Sequence, residues 1–258
     1  SLHDALPISE VVPHPVDEEG IVLNERPCDY YYVTPGHQVP TGVTMSSARR
    51  RQLLEHAARH DAVIIEDDYD SESNFTLNPL PALKASDRSG RVVYVSSLSK
   101  ALSPGLRLGF MVADPDLIDE ARALRRLVYR HPPTNIQYQM AHFLAQGHYE
   151  THLRRYHYDS AQRWERLHAA LQRYLPSCRA LAGSEHANAF WLQTPAQINT
   201  QQLTWRAAHA GVLIEPGARH FLSAAPPDNY FRMGFHAINP DAIAQGVEVL
   251  RGQLEQMG

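Results

Sequence analysis

The sequence predicts an α/β fold, with a mostly parallel sheet carrying helices on both faces and a smaller C-terminal α/β unit after it. Three observations carry this. From Val11 to about Asp114, short apolar runs alternate with helical patterns. Two of those runs, Ala62–Ile65 and Val92–Val95, are apolar without interruption, as strands buried on both faces of a parallel sheet are. Beyond Pro176, strand and helix candidates alternate again.

Tyr30–Thr34 is an aromatic, β-branched run that stops at Pro35-Gly36, a strand and its exit turn. Ser46–His60 carries Leu53, Leu54, Ala57 and Ala58 at helical spacing, with its arginines on the other side. Ala62–Ile65 runs into Glu66-Asp67-Asp68, Val92–Val95 runs into Ser96-Ser97, and Leu108–Val112 adds a strand close behind. Asp114-Pro115-Asp116 reads as a helix start with proline in the first turn. From there to about Tyr174 the pattern is mostly helical, broken at Pro132-Pro133 and Gly147. Strands follow at Ala189–Gln193, Val212–Glu215 and Tyr230–Phe235, with helices at Thr200–Ala210 and Pro240–Gln256. The expected organisation is a leader foreign to the fold at 1–10 and part of a large domain over 11–125. Connecting helices then fill 126–175, and a small domain fills 176–258.

Composition narrows the function classes. Of 258 residues, 43% are hydrophobic and 20% charged, which excludes a disordered tail or a coiled coil. Lysine and arginine number 24 against 28 acidic residues, a net charge of −4. Gripping DNA needs a basic excess, so these residues are not expected to do so themselves. Cys28 and Cys178 lie far apart and outside any metal-ligand spacing, which fits a reducing compartment and no zinc knuckle. Two uncharged stretches, Tyr30–Ala48 and His186–Trp205, are full of Pro, Gln, Asn, Thr and Ser. A spanning helix needs roughly 20 mostly apolar residues instead. Ser1–Ser9 has neither the basic nor the apolar region of a secretory signal. A soluble cytoplasmic protein is expected.

Ligands of open parallel sheets bind beyond the carboxyl ends of the strands. Three such ends carry polar groups: His37-Gln38, then Asp67, then Ser97-Ser99-Lys100. Arg107 follows across a Pro104-Gly105 turn able to swing it back. A carboxylate, an amine, a guanidinium and hydroxyls suit a phosphorylated, nitrogen-containing aromatic aldehyde. Lysine bonds the aldehyde as a Schiff base, and the carboxylate keeps a pyridine nitrogen protonated.

Val63–Ser71 (VIIEDDYDS) and Ser96–Phe110 (SSLSKALSPGLRLGF) resemble the core motifs of fold-type I pyridoxal-phosphate enzymes. The resemblance is greatest to the aminotransferase-like domain of MocR/GabR-type transcriptional regulators, and Gly36–Gly42 and Pro79–Leu83 share it. It runs from about Val11 to near the C-terminus. It implies part of a fold-type I large domain, a pyridoxal 5'-phosphate cofactor and a homodimer. It also implies roles: Lys100 forms the internal aldimine, Asp67 pairs with the pyridine nitrogen, and Tyr69 lies near the ring 3-hydroxyl. Ser97, Ser99 and Arg107 hold the phosphate, His37 and Gln38 flank the cofactor, and Arg232 binds an amino-acid carboxylate. Asp68 and Asp70 read as ordinary strand-end solvation.

The implied function is effector sensing through Schiff-base exchange at Lys100, with an amino acid or amine as effector and DNA met through an upstream winged-helix domain. Two alternatives stay open: a true class I/II aminotransferase acting on amino acids, and a degenerate interaction domain without cofactor. Val39 stands where many aminotransferases carry Asn before the Pro-Thr-Gly turn, a departure toward the regulators. The segment is also expected to be N-terminally incomplete, since nothing before Val11 supplies a glycine-rich phosphate-binding helix start.

Three local patterns are set aside. Ser97-Leu98-Ser99-Lys100 fits the Ser-x-x-Lys pattern of penicillin-recognising enzymes, whose companion Ser-Asp-Asn and Lys-Thr-Gly motifs are absent. Asp68-Tyr69-Asp70-Ser71-Glu72 opens like a calcium loop but has Ser73 and Pro79 at its glycine and glutamate positions. His148-Tyr149-Glu150-Thr151-His152, with His157 nearby, puts its glutamate one place late for a zincin, and a solvated helix face is expected there. No metal is expected.

Overall fold

The computed structural model describes residues 9–24, 26–70, 72, 80–181 and 188–258. After a short hairpin, β1 (Val16–Asp17) and β2 (Gly20–Ile21), the first sheet is ordered β3 (Tyr30–Val33), β4 (Val63–Asp68), β5 (Val92–Ser97), β6 (Gly109–Val112). β3, β4 and β5 are parallel, and β6 runs antiparallel to β5. The direction of β6 follows from its connection. A parallel return needs a crossover of a dozen or more residues, and the segment between Ser97 and Gly109 is too short for one that packs a helix.

Helix α1 (Ser47–Arg59) starts where Ser46 Oγ accepts the Arg49 amide at 3.1 Å, the usual hydroxyl cap. Its Leu53 and Ala57 pack against Tyr31, Val33, Ile64 and Val92 of the sheet. The expected polar side of this helix needs one correction: Arg50 is buried. Its guanidinium donates to Met45 O at 2.9 Å, Pro81 O at 2.6 Å and Pro35 O at 3.0 Å, pinning both ends of the β3–α1 loop to the segment that leads into the next helix. Glu66 is buried as well; its two oxygens accept the amides of Leu83 and Lys84 at 2.7 and 2.9 Å. It thereby caps the short helix α2 (Leu83–Ser86), while burial pushes its carboxyl above the usual range.

Three helices follow: α3 (Pro115–Val128), α4 (Thr134–Ala145) and the long α5 (His148–Tyr174). The second sheet, β7 (Arg179–Ala180), β8 (Ala189–Gln193), β10 (Tyr230–Gly234) and β9 (Glu215–Pro216) in spatial order, is antiparallel throughout. Its third chain-order strand falls at the very end of the expected Val212–Glu215 run. Phe190, Leu192 and Phe231 meet Leu167 and Leu171 of α5, Leu203 of α6 (Thr200–His209), and Val247 and Leu250 of α7 (Ile243–Glu255) in one core. Gly217, just after β9, has to be glycine: a Cβ there would stand 2.5 Å from Trp191 and 2.6 Å from the Tyr230 carbonyl.

His236 lies where α5 crosses this sheet, its Nδ1 3.2 Å from Tyr156 OH and 3.1 Å from Ser160 Oγ. Burial is the first cause that lowers its pKa from 6.5 to about 4. The unfolded chain therefore takes up this proton first as pH falls, so the stability tied to neutral His236 is present above about 6.5 and lost toward 4. Replacing His236 by Gln should flatten the decline of urea-unfolding stability between pH 7 and pH 4.5 relative to the parent; an identical decline in both proteins contradicts it. In the core, Phe231→Ala should cost about 3–5 kcal/mol, whereas Leu213→Ala at an exposed position should stay within about 0.5 kcal/mol, both read from denaturant midpoints.

Candidate active site

The parallel register lines up the carboxyl ends of three strands. Val33 pairs with Glu66 and Glu66 with Tyr94, so Thr34–Gln38, Asp67–Asp70 and Ser97–Lys100 leave the sheet side by side. Side chains alternate between faces along a strand, and this sorts the three aspartates. Tyr32, Asp67 and Ser97 share one face, where the Tyr32 phenol donates to Asp67 Oδ2. Asp68 turns to the other face and accepts from Tyr94 OH at 2.8 Å. Burial raises its carboxyl above the usual range, so the expected solvation of Asp68 is corrected to a half-buried, bonded carboxylate.

Asp70 requires the larger correction. It is buried, and its Oδ2 lies 2.8 Å from Lys100 Nζ. The same oxygen is 3.7 Å from His37 Nδ1 and accepts from the Asn188 amide. Lys100 Nζ also sits 4.6 Å from the centre of the Tyr69 ring, a cation over an aromatic face. Burial is the first cause that lowers the Lys100 pKa, with Asp70 pulling the other way. His37 is lowered for the same first reason. Burial, and then the charge on Asp70, push the Tyr69 phenol up to about 12, so it is a neutral donor at ordinary pH.

Ser97 and Ser99 stand beside Lys100, with the Ser99 amide donating to Ser97 Oγ at 3.2 Å. Ser99 Oγ is buried and has no hydrogen-bond partner among the described residues, and the same holds for Gln38 Oε1 in the loop after β3. A buried hydroxyl is normally paired; one left over beside a lysine fits an oxygen of a bound anion. The Leu98 amide bonds Leu108 O at 3.0 Å, which carries the chain back so that Arg107 lies at the same end of β5. Arg107 has positive φ at 47° and is exposed, and the pairing of Ser97 with Gly109 sets it at the same end of the sheet as the serines.

Arg232, on β10, is joined to this group through a residue that no motif announces. Its Nη2 donates to Asn188 Oδ1 at 3.5 Å, and Asn188 Nδ2 donates in turn to Tyr69 OH at 3.0 Å. Its Nη1 lies 3.4 Å from Glu215 Oε2. Asn188 and Glu215 are thus site residues that sequence reasoning missed. Asn188 stands just before an apolar strand, and Glu215 falls at the end of the expected strand; neither has a spacing that marks it. The face of α5 expected to be solvated is also engaged: His152 Nε2 meets Ala101 O at 2.7 Å and His157 Nε2 meets Glu72 O at 2.6 Å. Carbonyls only accept, so both nitrogens carry their protons. Pro79 of the Pro79–Leu83 motif lies outside the described residues.

Residues 33–250 match the family described as aminotransferase class I and II. The HTH-type transcriptional regulator TauR of Rhodobacter capsulatus is 38% identical over 243 residues, covering 93% of this chain and 50% of that protein. The probable rhizopine catabolism regulatory protein MocR of Rhizobium meliloti is 34% identical over 247 residues, covering 94% and 50%. The solved structure of LysN, an α-aminoadipate aminotransferase from Thermus thermophilus complexed with N-(5'-phosphopyridoxyl)-L-leucine, matches with a TM-score of 0.84 at 27% identity. That match covers 95% of this chain and 65% of that one. The chain spans about half the length of the curated relatives it matches. No helix among the described residues is long and apolar enough to cross a membrane. A lysine, a strand-end carboxylate and paired serines at the ends of parallel strands, together with the match over most of its length, place this chain in the class I and II aminotransferase family.

Proposed function

We propose that the chain is a pyridoxal-phosphate-binding, aminotransferase-like domain, the effector-sensing part of a GabR-like transcriptional regulator. The observation that carries it is the convergence of Lys100, Asp67 and Ser97–Ser99 at adjacent strand ends, on a chain whose curated relatives include two regulators. The orphaned Ser99 hydroxyl fits a phosphate there. When bound, pyridoxal phosphate supplies an aldehyde for an amine to bond and a ring that takes up the electrons left when a proton departs.

The remaining work belongs to this chain. Ser97, Ser99 and Arg107 hold the phosphate, and Asp67, fixed by the Tyr32 phenol, holds a proton at the ring nitrogen. Tyr69, neutral at ordinary pH, donates to the ring 3-oxygen, with His37 and Gln38 flanking. Lys100 supplies the amine; its lowered pKa raises the neutral fraction that carbonyl chemistry needs. Once freed by an incoming amino compound, the same amine is placed to move a proton. Arg232 offers a planar fork to a carboxylate, oriented by Asn188 and Glu215. We further propose a homodimer in the cytoplasm, with an amino acid or amine as effector and DNA met by another part of the full-length protein.

The test is reconstitution of the full-length protein with pyridoxal phosphate. Visible absorbance near the cofactor's bound-state band is expected, and Lys100→Ala should abolish it; a band unchanged in that variant overturns the lysine assignment. Asp67→Asn should keep binding yet slow the exchange with amino compounds by about 100-fold or more. Keto-acid formation sustained over many turnovers with candidate amino donors argues for an aminotransferase over a sensor.

A further inference from the structure

A buried carboxylate to which the motif resemblance assigns no role stands against Lys100. Asp70 is almost fully enclosed, its side chain 2% exposed, while Lys100 keeps 34% of its side chain open. One partner is therefore fixed and the other is free to swing. Asp70 Oδ2 accepts from Asn188 and lies 2.8 Å from Lys100 Nζ, so both the second sheet and the lysine converge on one oxygen. Resting on the reading of Lys100 given above, we propose that Asp70 is the positioning residue of Lys100: its carboxylate holds the ammonium in place at the back of the crevice and keeps it charged until a ligand draws the lysine away.

The groups facing Lys100 divide by sign. Asp70 is the anion in contact with it, and Tyr69 offers its neutral ring face. His37, His236 and Arg232 act from the loop after β3 and from the second sheet; both histidines are held toward the neutral form, and Arg232 disfavours a second positive charge. With Asp70 neutralised, only burial and Arg232 would act on the amine, and both favour the uncharged form. The carboxylate therefore opposes early capture of stray carbonyl compounds. When the pair opens, the ammonium would yield its proton to water and leave the neutral amine that carbonyl chemistry needs.

The experiment is competitive labelling of Lys100 by acetic anhydride across pH, read by peptide mass spectrometry on the full-length protein before cofactor is added. Asp70→Asn should move the labelling midpoint down by about one pH unit, a tenfold rise in neutral amine at fixed pH. Asp70→Glu, which keeps the charge, should stay closer to the parent than Asp70→Asn does. An Asp70→Asn protein with unchanged circular dichroism and an unchanged midpoint overturns the proposal. Should that variant not fold, ¹³C spectra of the unsubstituted protein decide: the Asp70 carboxyl carbon should shift through the pH step in which Lys100 Cε titrates, and a carbon that stays still overturns it. Failure of the full-length protein to develop visible absorbance with pyridoxal phosphate sinks the cofactor reading and leaves the labelling result standing, so the two fail separately.

Discussion

The parallel pairing of β3, β4 and β5 is the constraint on which the site depends. In a parallel ladder the strands share one direction, so their carboxyl ends open on one edge and their exit loops meet there. The pairing of Asp67 with Val95 and of Asp68 with Ser96 sets which side chains share a face. A slip of one residue would exchange Asp67 for Asp68 on the site face. That register is pinned from outside the site: Ile64 and Val92 are buried under α1, and Glu66 is locked by two amides at the start of α2. The chemistry inherits its geometry from a core that contains none of it.

Several charges are buried in this small region, and each is matched. Arg50 spends its donors on three loop carbonyls, Glu66 its acceptors on two amides, and Asp70 its carboxylate on Lys100 and Asn188. An unpaired buried charge costs far more than the net worth of a paired one, so these groups also specify which loops lie next to which. Asn188 has a particular place in that scheme. By reaching Tyr69, Asp70 and Arg232 together, it links the second sheet to the carboxylate that contacts the lysine.

Much of the fold was legible because burial leaves a pattern. The uninterrupted apolar runs at β4 and β5, the Ser46 cap and the Asp114-Pro115 start each reflect a local physical requirement, and the elements stand at those places. The antiparallel direction of β6 depends on connection length, which a run of apolar residues does not encode. Lys100 and Asp67 were singled out by their motif, and the structure sets both at the carboxyl ends of neighbouring strands. Asp70 was not: two residues beyond a strand, a carboxylate that contacts water and one that contacts a lysine look alike in sequence. Tyr32 was hidden for another reason. In Tyr30-Tyr31-Tyr32 all three positions are the same residue, so alternation gives no sign of which one turns toward Asp67.

The two faces of the first sheet are treated unequally, and the site accounts for the inequality. Tyr31 and Val33 are sealed under α1, whereas Tyr30 is 66% and Tyr32 57% exposed. Val63, Ile65, Val93 and Val95 on that same side are only half-buried. Apolar residues there favour a cover, but Asp67 and Ser97 project among them. A dry apolar lid over this face would strand the Asp67 charge, because the Tyr32 hydroxyl alone does not replace the hydration of a carboxylate. What closes this face must therefore bring a polar or cationic group to Asp67, a requirement that a purely hydrocarbon surface does not meet.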